Sequence, residues 1–342
     1  MEDSAPDDRP HAMKALVYTN PHEMTFRDEP EPVRADGEVL IRVDAVGICG
    51  SDMHAYHGRD PRRVPPLILG HELAGEVIEG PWRGQRVTVN PLITCGHCEY
   101  CVQGRNNLCA NRTMIGMTRA GGFAEYLTTA AASVIDIPQD MSPRAAALTE
   151  PAATALHAIN AAMRTLIRPL PECSVLVFGG GAIGLLAALL LRSYGCRNLR
   201  IAETNPLRRV AAHASSRWPV FDPTATAASD NDVDVVIDAV GAKSTRAAAL
   251  AAVKPGGVIV HVGLADWASE IDMRKLTLAE ITLIGTYTYS TGDLRAAVRA
   301  LHEGAFGDLG WVDERPLVDG AQAFRDLDGG RAAAAKIVLR PR

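Results

Sequence analysis

The sequence predicts an α/β chain in two parts, a β-rich first half and a doubly wound parallel sheet behind it. Three observations carry this reading. The chain has 342 residues, more than one hydrophobic core ordinarily serves. From Lys14 to about Pro138 it runs as short strands broken by Gly/Pro turns. After about Glu172, near-continuous apolar strands alternate with helical segments, as in a parallel sheet covered on both faces.

Residues 1–12, MEDSAPDDRPHA, are polar and acidic and lack the apolar core of a secretory signal, so a disordered leader is expected. KALVY (14–18), EVLIRVDAVGIC (38–49), RVTVN (86–90) and GFAEYL (122–127) read as strands. Alternation over 38–45 gives one of them a single buried face. SPRAAALTEPAATALHAINAAM (142–163) reads as helix, with Ser142 as N-cap, Pro143 at the first position and a break or restart at Pro151. The second half offers strands SVLVFG (174–179), NLRIAE (198–203), VDVVIDAVG (233–241), GGVIVHVG (256–263) and ITLIGTY (281–287). After residue 292 come a helix, a turn and a last strand, KIVL (336–339).

The run VLVFGGGAIGLLAALLL (175–191) is apolar enough to suggest a membrane span, but three consecutive glycines interrupt it. Strand, turn and helix is the better reading. A net charge of −5 without a basic stripe argues against nucleic-acid or anionic-membrane partners. With no targeting segment, a cytoplasmic chain with reduced thiols is expected, so clustered cysteines suggest metal ligands rather than disulfides.

Two constellations suggest chemistry. GGGAIG (179–184) fits G-x-G-x-x-G through Gly179, Gly181 and Gly184, with Ala182 and Ile183 between them, at a strand-to-helix turn. Such a turn lets the backbone approach a pyrophosphate at a helix N-terminus. Glu203, about twenty residues on, can accept from ribose hydroxyls and would repel a 2′-phosphate, which favours NAD over NADP. Arg208 and Arg209 work the other way, since a nearby arginine accommodates that phosphate.

The second constellation is scattered. GICGSDMH (47–54), GHE (70–72) and TEP (149–151) offer Cys49, His71 and a carboxylate from Glu72 or Glu150. Sulfur, nitrogen and oxygen donors with one position left open suit a catalytic zinc. A local cluster, CGHCEYCVQGRNNLC, places Cys95, Cys98, Cys101 and Cys109 within fifteen residues. Four thiolates complete a tetrahedral shell and leave no position for substrate. His97 then reads as a loop residue, and Cys173 and Cys196 as buried thiols.

These pieces, with LGHELAGEV (69–77), GGFAEY (121–126) and LTEPAATALHA (148–158), run in order over nearly the whole chain. The chain resembles zinc-dependent medium-chain dehydrogenases/reductases of the alcohol dehydrogenase superfamily, in the polyol branch of sorbitol, L-idonate and L-threonine dehydrogenases. The resemblance implies a GroES-like catalytic domain at 13–160, to which 291–342 return, and a Rossmann NAD-binding domain at 161–290. It implies two zincs per chain, one held by Cys49, His71 and Glu72 or Glu150, the other a structural ion in the four-cysteine lobe. Ser51 falls where a hydroxyl takes the substrate proton, His54 where a histidine relays it, and Asp52 where a carboxylate orients the metal-bound histidine. Thr154, Asp238, Gly263 and Thr286 lie near cofactor positions.

The implied reaction is Lewis-acid-assisted hydride transfer between a secondary alcohol and NAD, in a homodimer or homotetramer. Two departures bear on substrate: the connector in GEVIEGPWRGQRV is short, and Thr288 in GTYTYST (285–291) stands where sorbitol dehydrogenases carry arginine. Sorbitol itself is therefore disfavoured against a related polyol, sugar acid, cyclitol or amino alcohol. His57, Arg59 and Arg119 read as solvated loop residues near the pocket rim. Two rival functions are a zinc-free quinone or enone reductase on the same fold and a non-enzymatic zinc-binding interaction protein. The first leaves Cys49 and His71 unused, and the second leaves the glycine turn unused.

Overall fold

A computed structural model describes residues 12–342, so residues 1–11 of the expected leader lie outside the described residues. Ala12 already opens a strand, Ala12–Asn20, which pairs antiparallel with Glu23–Pro30 and touches Leu67–Ile68. The main sheet of the β-rich part runs Val134–Asp136, Arg86–Val89, Glu72–Glu79, Glu38–Gly47, Lys336–Arg340 and Val312–Pro316 in spatial order. Tyr126–Ala130 also pairs with Glu38–Gly47. The last strand thus joins the first part of the chain, bringing Lys336 beside Gly47–Ile48.

The second sheet has six strands, all parallel. They run Val220–Phe221, Asn198–Ala202, Ser174–Phe178, Val233–Asp238, Val253–His261 and Thr282–Gly285 in spatial order. Numbered along the chain this is the order 3-2-1-4-5-6 of a dinucleotide fold, with its switch point beside the central strand Ser174–Phe178. Every residue of that strand is buried, as its apolar run Val175–Phe178 requires, and Ser174 at its start bonds to Asp234. Burial stabilises by about 1.5–3 kcal/mol for each large apolar side chain.

The helix predicted from Ser142 is two helices. Ser142 caps Pro143–Ala147 by accepting from the Ala145 N–H, and a new helix, Thr149–Met163, begins after Leu148. Pro151 sits in the first turn of the second, where its missing N–H costs no hydrogen bond. That helix packs its alanine faces against Ala182–Ser193 and Thr291–His302.

GFAEYL departs from expectation, because regular strand starts only at Tyr126. Gly121, Gly122 and Phe123 instead donate to the carbonyls of Ile68, Gly70 and Leu69. A Cβ on Gly121 would lie 2.3 Å from the Leu69 carbonyl oxygen, so glycine permits this close approach. The segment therefore supports the backbone leading into His71.

Candidate active site

The strand Glu38–Gly47 delivers the chain to the short helix Gly50–Tyr56, whose N-cap is Cys49. Cys49 Sγ lies 3.5 Å from the Ser51 N–H, and Asp52 Oδ2 accepts from the Cys49 N–H at 3.0 Å. A thiol thus takes the place of the usual cap hydroxyl in a capping box. Spacing by three places Ser51 and His54 on one side of this helix.

Gly70, at φ +92°, turns the chain so that His71 and Glu72 face Cys49. One donor atom from each of Cys49, His71 and Glu72 lies within 4.8 Å of the others. His71 Nδ1 faces Asp52 Oδ1 at 3.5 Å, and neither atom has a hydrogen-bond partner among the described residues. The other imidazole nitrogen is left for a ligand. Lys336 Nζ donates to both Glu72 oxygens, at 2.7 and 2.6 Å, and to the Ile48 carbonyl at 2.9 Å. Gly47 makes room for that carboxylate: a Cβ there would fall 2.1 Å from Glu72 Oε2.

Glu150 is buried and accepts from the fully buried Tyr289 hydroxyl at 2.7 Å, but it falls outside the three-donor cluster. Between the two glutamates, geometry therefore favours Glu72 as the direct donor. Burial, with help from Glu72, pushes Glu150 up to about 7, while His71, Tyr289 and Lys336 oppose the rise. Burial works against a charged His71, yet Asp52 and Cys49 push its pKa well above the usual histidine value. Asp52, Glu72, Glu150 and Cys49 form an acidic nest that favours positive charge. A soft-to-borderline divalent ion supplies that charge through this sulfur, nitrogen and oxygen set, so the residues fit zinc.

Ser51 is held by a residue sequence reasoning missed. Arg63, buried to 3% exposure, donates to Ser51 Oγ at 3.1 Å and to the Ser51 carbonyl at 3.2 Å. It also donates to Asp60 at 2.6 Å and the Gly116 carbonyl at 3.1 Å. His54 lies on the same helix, half-buried. Burial first, then the charges of His57, Arg59 and Arg63, lower its pKa below the ordinary 6.5.

The four-cysteine lobe has ligand spacing of its own. Cys109 and Cys95 Sγ are 3.6 Å apart, and Cys95 and Cys101 are 4.0 Å apart. Sulfurs at about 2.3 Å from a tetrahedral zinc stand about 3.8 Å from one another. Backbone N–H groups, that of His97 first, pull Cys95 down to about 6, which favours a thiolate ligand. The lobe is also fastened to the segment that carries Tyr289. Asn107 donates to the Tyr287 carbonyl at 2.8 Å, Asn106 donates to Thr291 Oγ1 at 3.0 Å, and Arg112 stacks 4.9 Å above the Tyr287 ring. The lobe expected to hold a structural ion is thus mechanically linked to the segment that carries Tyr289.

In the glycine turn, Gly179 has φ +98°, and a Cβ on Gly184 would lie 1.9 Å from the Gly179 carbonyl oxygen. Gly181, the N-cap of Ala182–Ser193, faces open space, with Ala182 and Ile183 half-buried behind it. Glu203 is buried under the turn and accepts from the Gly180 N–H at 2.8 Å and the Asn205 N–H at 2.7 Å. Arg209 pairs with Asp222 at 3.0 Å, whereas the Arg208 side chain has no partner among the described residues.

The chain matches the alcohol dehydrogenase GroES-like domain model over residues 35–139 and the zinc-binding dehydrogenase model over 182–303. It is 33% identical to L-galactonate-5-dehydrogenase of Escherichia coli, over 93% of this chain and 96% of that one. The chain belongs to the zinc-binding dehydrogenases. Sorbitol dehydrogenase of Bacillus subtilis is 34% identical, over 82% of this chain and 84% of its own length. The structure of acetophenone reductase from Geotrichum candidum in complex with NAD superposes with a TM-score of 0.85 at 25% identity, covering 97% and 98% of the two chains. This zinc-binding dehydrogenase is a hydride-transferring oxidoreductase that uses zinc and NAD(P).

The dehydrogenase has a cleft of about 990 Å³ between its two parts. His54, Arg59 and Asp60 line one wall; Asp238, His261 and Leu264 line the other. None of Cys49, His71 and Glu72 is among the residues that line it. Asp238 accepts from the N–H groups of Val240 and Gly241 and from Thr245 Oγ1, which shapes the loop above its strand. Gly263 closes against that loop: a Cβ there would lie 2.1 Å from the Val240 carbonyl carbon. The Thr286 hydroxyl is buried without a hydrogen-bond partner among the described residues. Thr154 instead bonds back to the Glu150 carbonyl at 3.3 Å within its own helix. Arg119 pairs with Glu38 at 2.6 Å and does not line the cleft. No helix among the described residues is long and apolar enough to cross a membrane.

Proposed function

We propose that this dehydrogenase carries two zincs, prefers NAD, and oxidises a secondary hydroxyl of a polyol, sugar acid, cyclitol or amino alcohol to a ketone, or runs the reverse. The supporting observation is the convergence of Cys49, His71 and Glu72 at the start of the helix that carries Ser51 and His54. In this reading residues 13–160 and 291–342 form the catalytic domain and 161–290 the nucleotide domain. A zinc held by Cys49, His71 and Glu72 would supply a Lewis acid, a second held by the four cysteines a structural brace, and NAD a hydride acceptor.

The chain's own residues manage the proton. Arg63 occupies one lone pair of Ser51 Oγ and leaves the other to receive the substrate proton. Arginine cannot take that proton onward, so Ser51 releases its own toward His54. His54, with its pKa below 6.5, is neutral near pH 7 and can accept. The Asp52 carboxylate faces the His71 ring at 3.5 Å as its electrostatic counterpart, and Lys336 holds Glu72. Glu203 places negative charge beneath the glycine turn, where a 2′-phosphate would meet repulsion; the unpartnered Arg208 favours NADP and makes the preference a matter of degree. An association surface is consistent with the 93% exposed Trp267 and the open edge strand Thr282–Gly285, which suit a homodimer or homotetramer.

Ser51→Ala tests the relay. Turnover should fall by about 10²-fold or more, the range of a lost acid–base group, with zinc content and NAD affinity retained. Unchanged turnover would remove Ser51 from the mechanism.

A further inference from the structure

Outside the two zinc clusters, a third group of metal-competent side chains meets at the far end of the catalytic helix. His57 is the C-cap of Gly50–Tyr56, His22 lies in the turn between the first two strands, and Asp328 ends the helix Gly320–Asp328. One donor atom from each lies within 4.8 Å of the other two. His57 Nε2 is 2.6 Å from Asp328 Oδ1, and His22 Nδ1 is 3.9 Å from Asp328 Oδ2. The two imidazoles are 5.2 Å apart between ring centres.

We propose that His22, His57 and Asp328 form a third metal site, selective for a divalent transition ion of the zinc type. Nitrogen and oxygen donors at about 2.0–2.2 Å from such an ion stand roughly 3.4 Å apart in tetrahedral geometry. The His57 and His22 nitrogens stand 2.6 and 3.9 Å from the two oxygens of one carboxylate, so an ion that replaced the His57–Asp328 hydrogen bond would need only side-chain rotation to gather all three donors. Two imidazoles and one carboxylate suit zinc, cobalt, nickel or copper better than magnesium or calcium, which take oxygen-rich sets.

The surrounding frame holds the donors in place. The His22 N–H donates to the Tyr56 carbonyl at 2.6 Å, which pins the turn to the end of the catalytic helix. Tyr56 packs on Phe324, centroids 5.4 Å apart, and so joins that helix to the one ending in Asp328. All three side chains reach solvent, so an ion can enter and water can complete its coordination. Occupancy would clamp three segments distant in sequence around the outer end of the helix that begins at Cys49.

The site contains no sulfur, whereas both other clusters contain cysteine, and this makes it spectroscopically separable. Zinc-loaded protein titrated with Co²⁺ should take up one further ion, with visible d–d absorption and no sulfur-to-cobalt charge-transfer band. His22→Ala and Asp328→Asn should each weaken this uptake at least tenfold while leaving turnover in low-metal buffer unchanged. Three results would overturn the proposal: no further Co²⁺ bound, uptake only with a sulfur charge-transfer band, or uptake that both substitutions leave intact.

Discussion

His54 shows how a side chain's surroundings set its use. Its pKa lies below 6.5 because burial disfavours the imidazolium and His57, Arg59 and Arg63 repel it, while Asp60 acts in the opposite sense. A relay acceptor works when neutral, so protonation at low pH removes it. The acid limb of kcat/KM for alcohol oxidation should therefore fall below pH 6.5 and vanish in His54→Gln. A pH–rate profile checks this, and an identical limb in both proteins would exclude His54 as its source. Cys49, Ser51, Asp52 and His71 were legible in the sequence because they sit in compact motifs. Arg63, Lys336 and Tyr289 were not, since nothing local marks them. Lys336 meets Glu72 across 264 residues, and Tyr289 meets Glu150 across 139, so only the fold reveals either pair.

Among the elements, the cysteine lobe and the segment 285–291 act on each other. The lobe's sequence spells out its ligands, but its attachment to Tyr287 and Thr291 depends on the asparagines Asn106 and Asn107, which carry no motif. Asn107→Ala removes a hydrogen bond worth about 1 kcal/mol. For a chain of 342 residues that corresponds to a Tm lower by roughly 1–2 °C. Thermal unfolding and metal analysis should show that drop with the zinc content unchanged; an unchanged Tm would mean the contact contributes nothing. Strand legibility followed the same division. The central strands Ser174–Phe178 and Val233–Asp238 announce themselves, because burial on both faces demands near-continuous hydrophobic sequence, whereas the edge strand Thr282–Gly285 leaves alternate residues exposed. Val220–Phe221 is two residues long and only half-buried, too brief to make a pattern. GFAEYL reads as a strand, but the backbone of Gly121–Phe123 is spent on irregular contacts with the loop before His71.

At the scale of the whole molecule, the decisive feature is the return of the C-terminal strand to the first sheet. It carries Lys336 under Glu72 and thereby ties the end of the chain to the donor cluster. The helix Thr149–Met163 makes the complementary link, holding Glu150 at the site while packing against helices of both later segments. The sequence was enough to place a β-rich part and a parallel-sheet part; the substrate was not legible, because the cleft wall is assembled from helices, strands and loops of both halves. The most direct test of the central claim is NADH formation from NAD and a panel of polyols, sugar acids, cyclitols and amino alcohols, with zinc-loaded protein and Cys49→Ala side by side. The account predicts NADH from at least one class with the native protein, and none with a Cys49→Ala variant that still binds NAD. Equal NADH formation by the two proteins, or none from any alcohol, would contradict it.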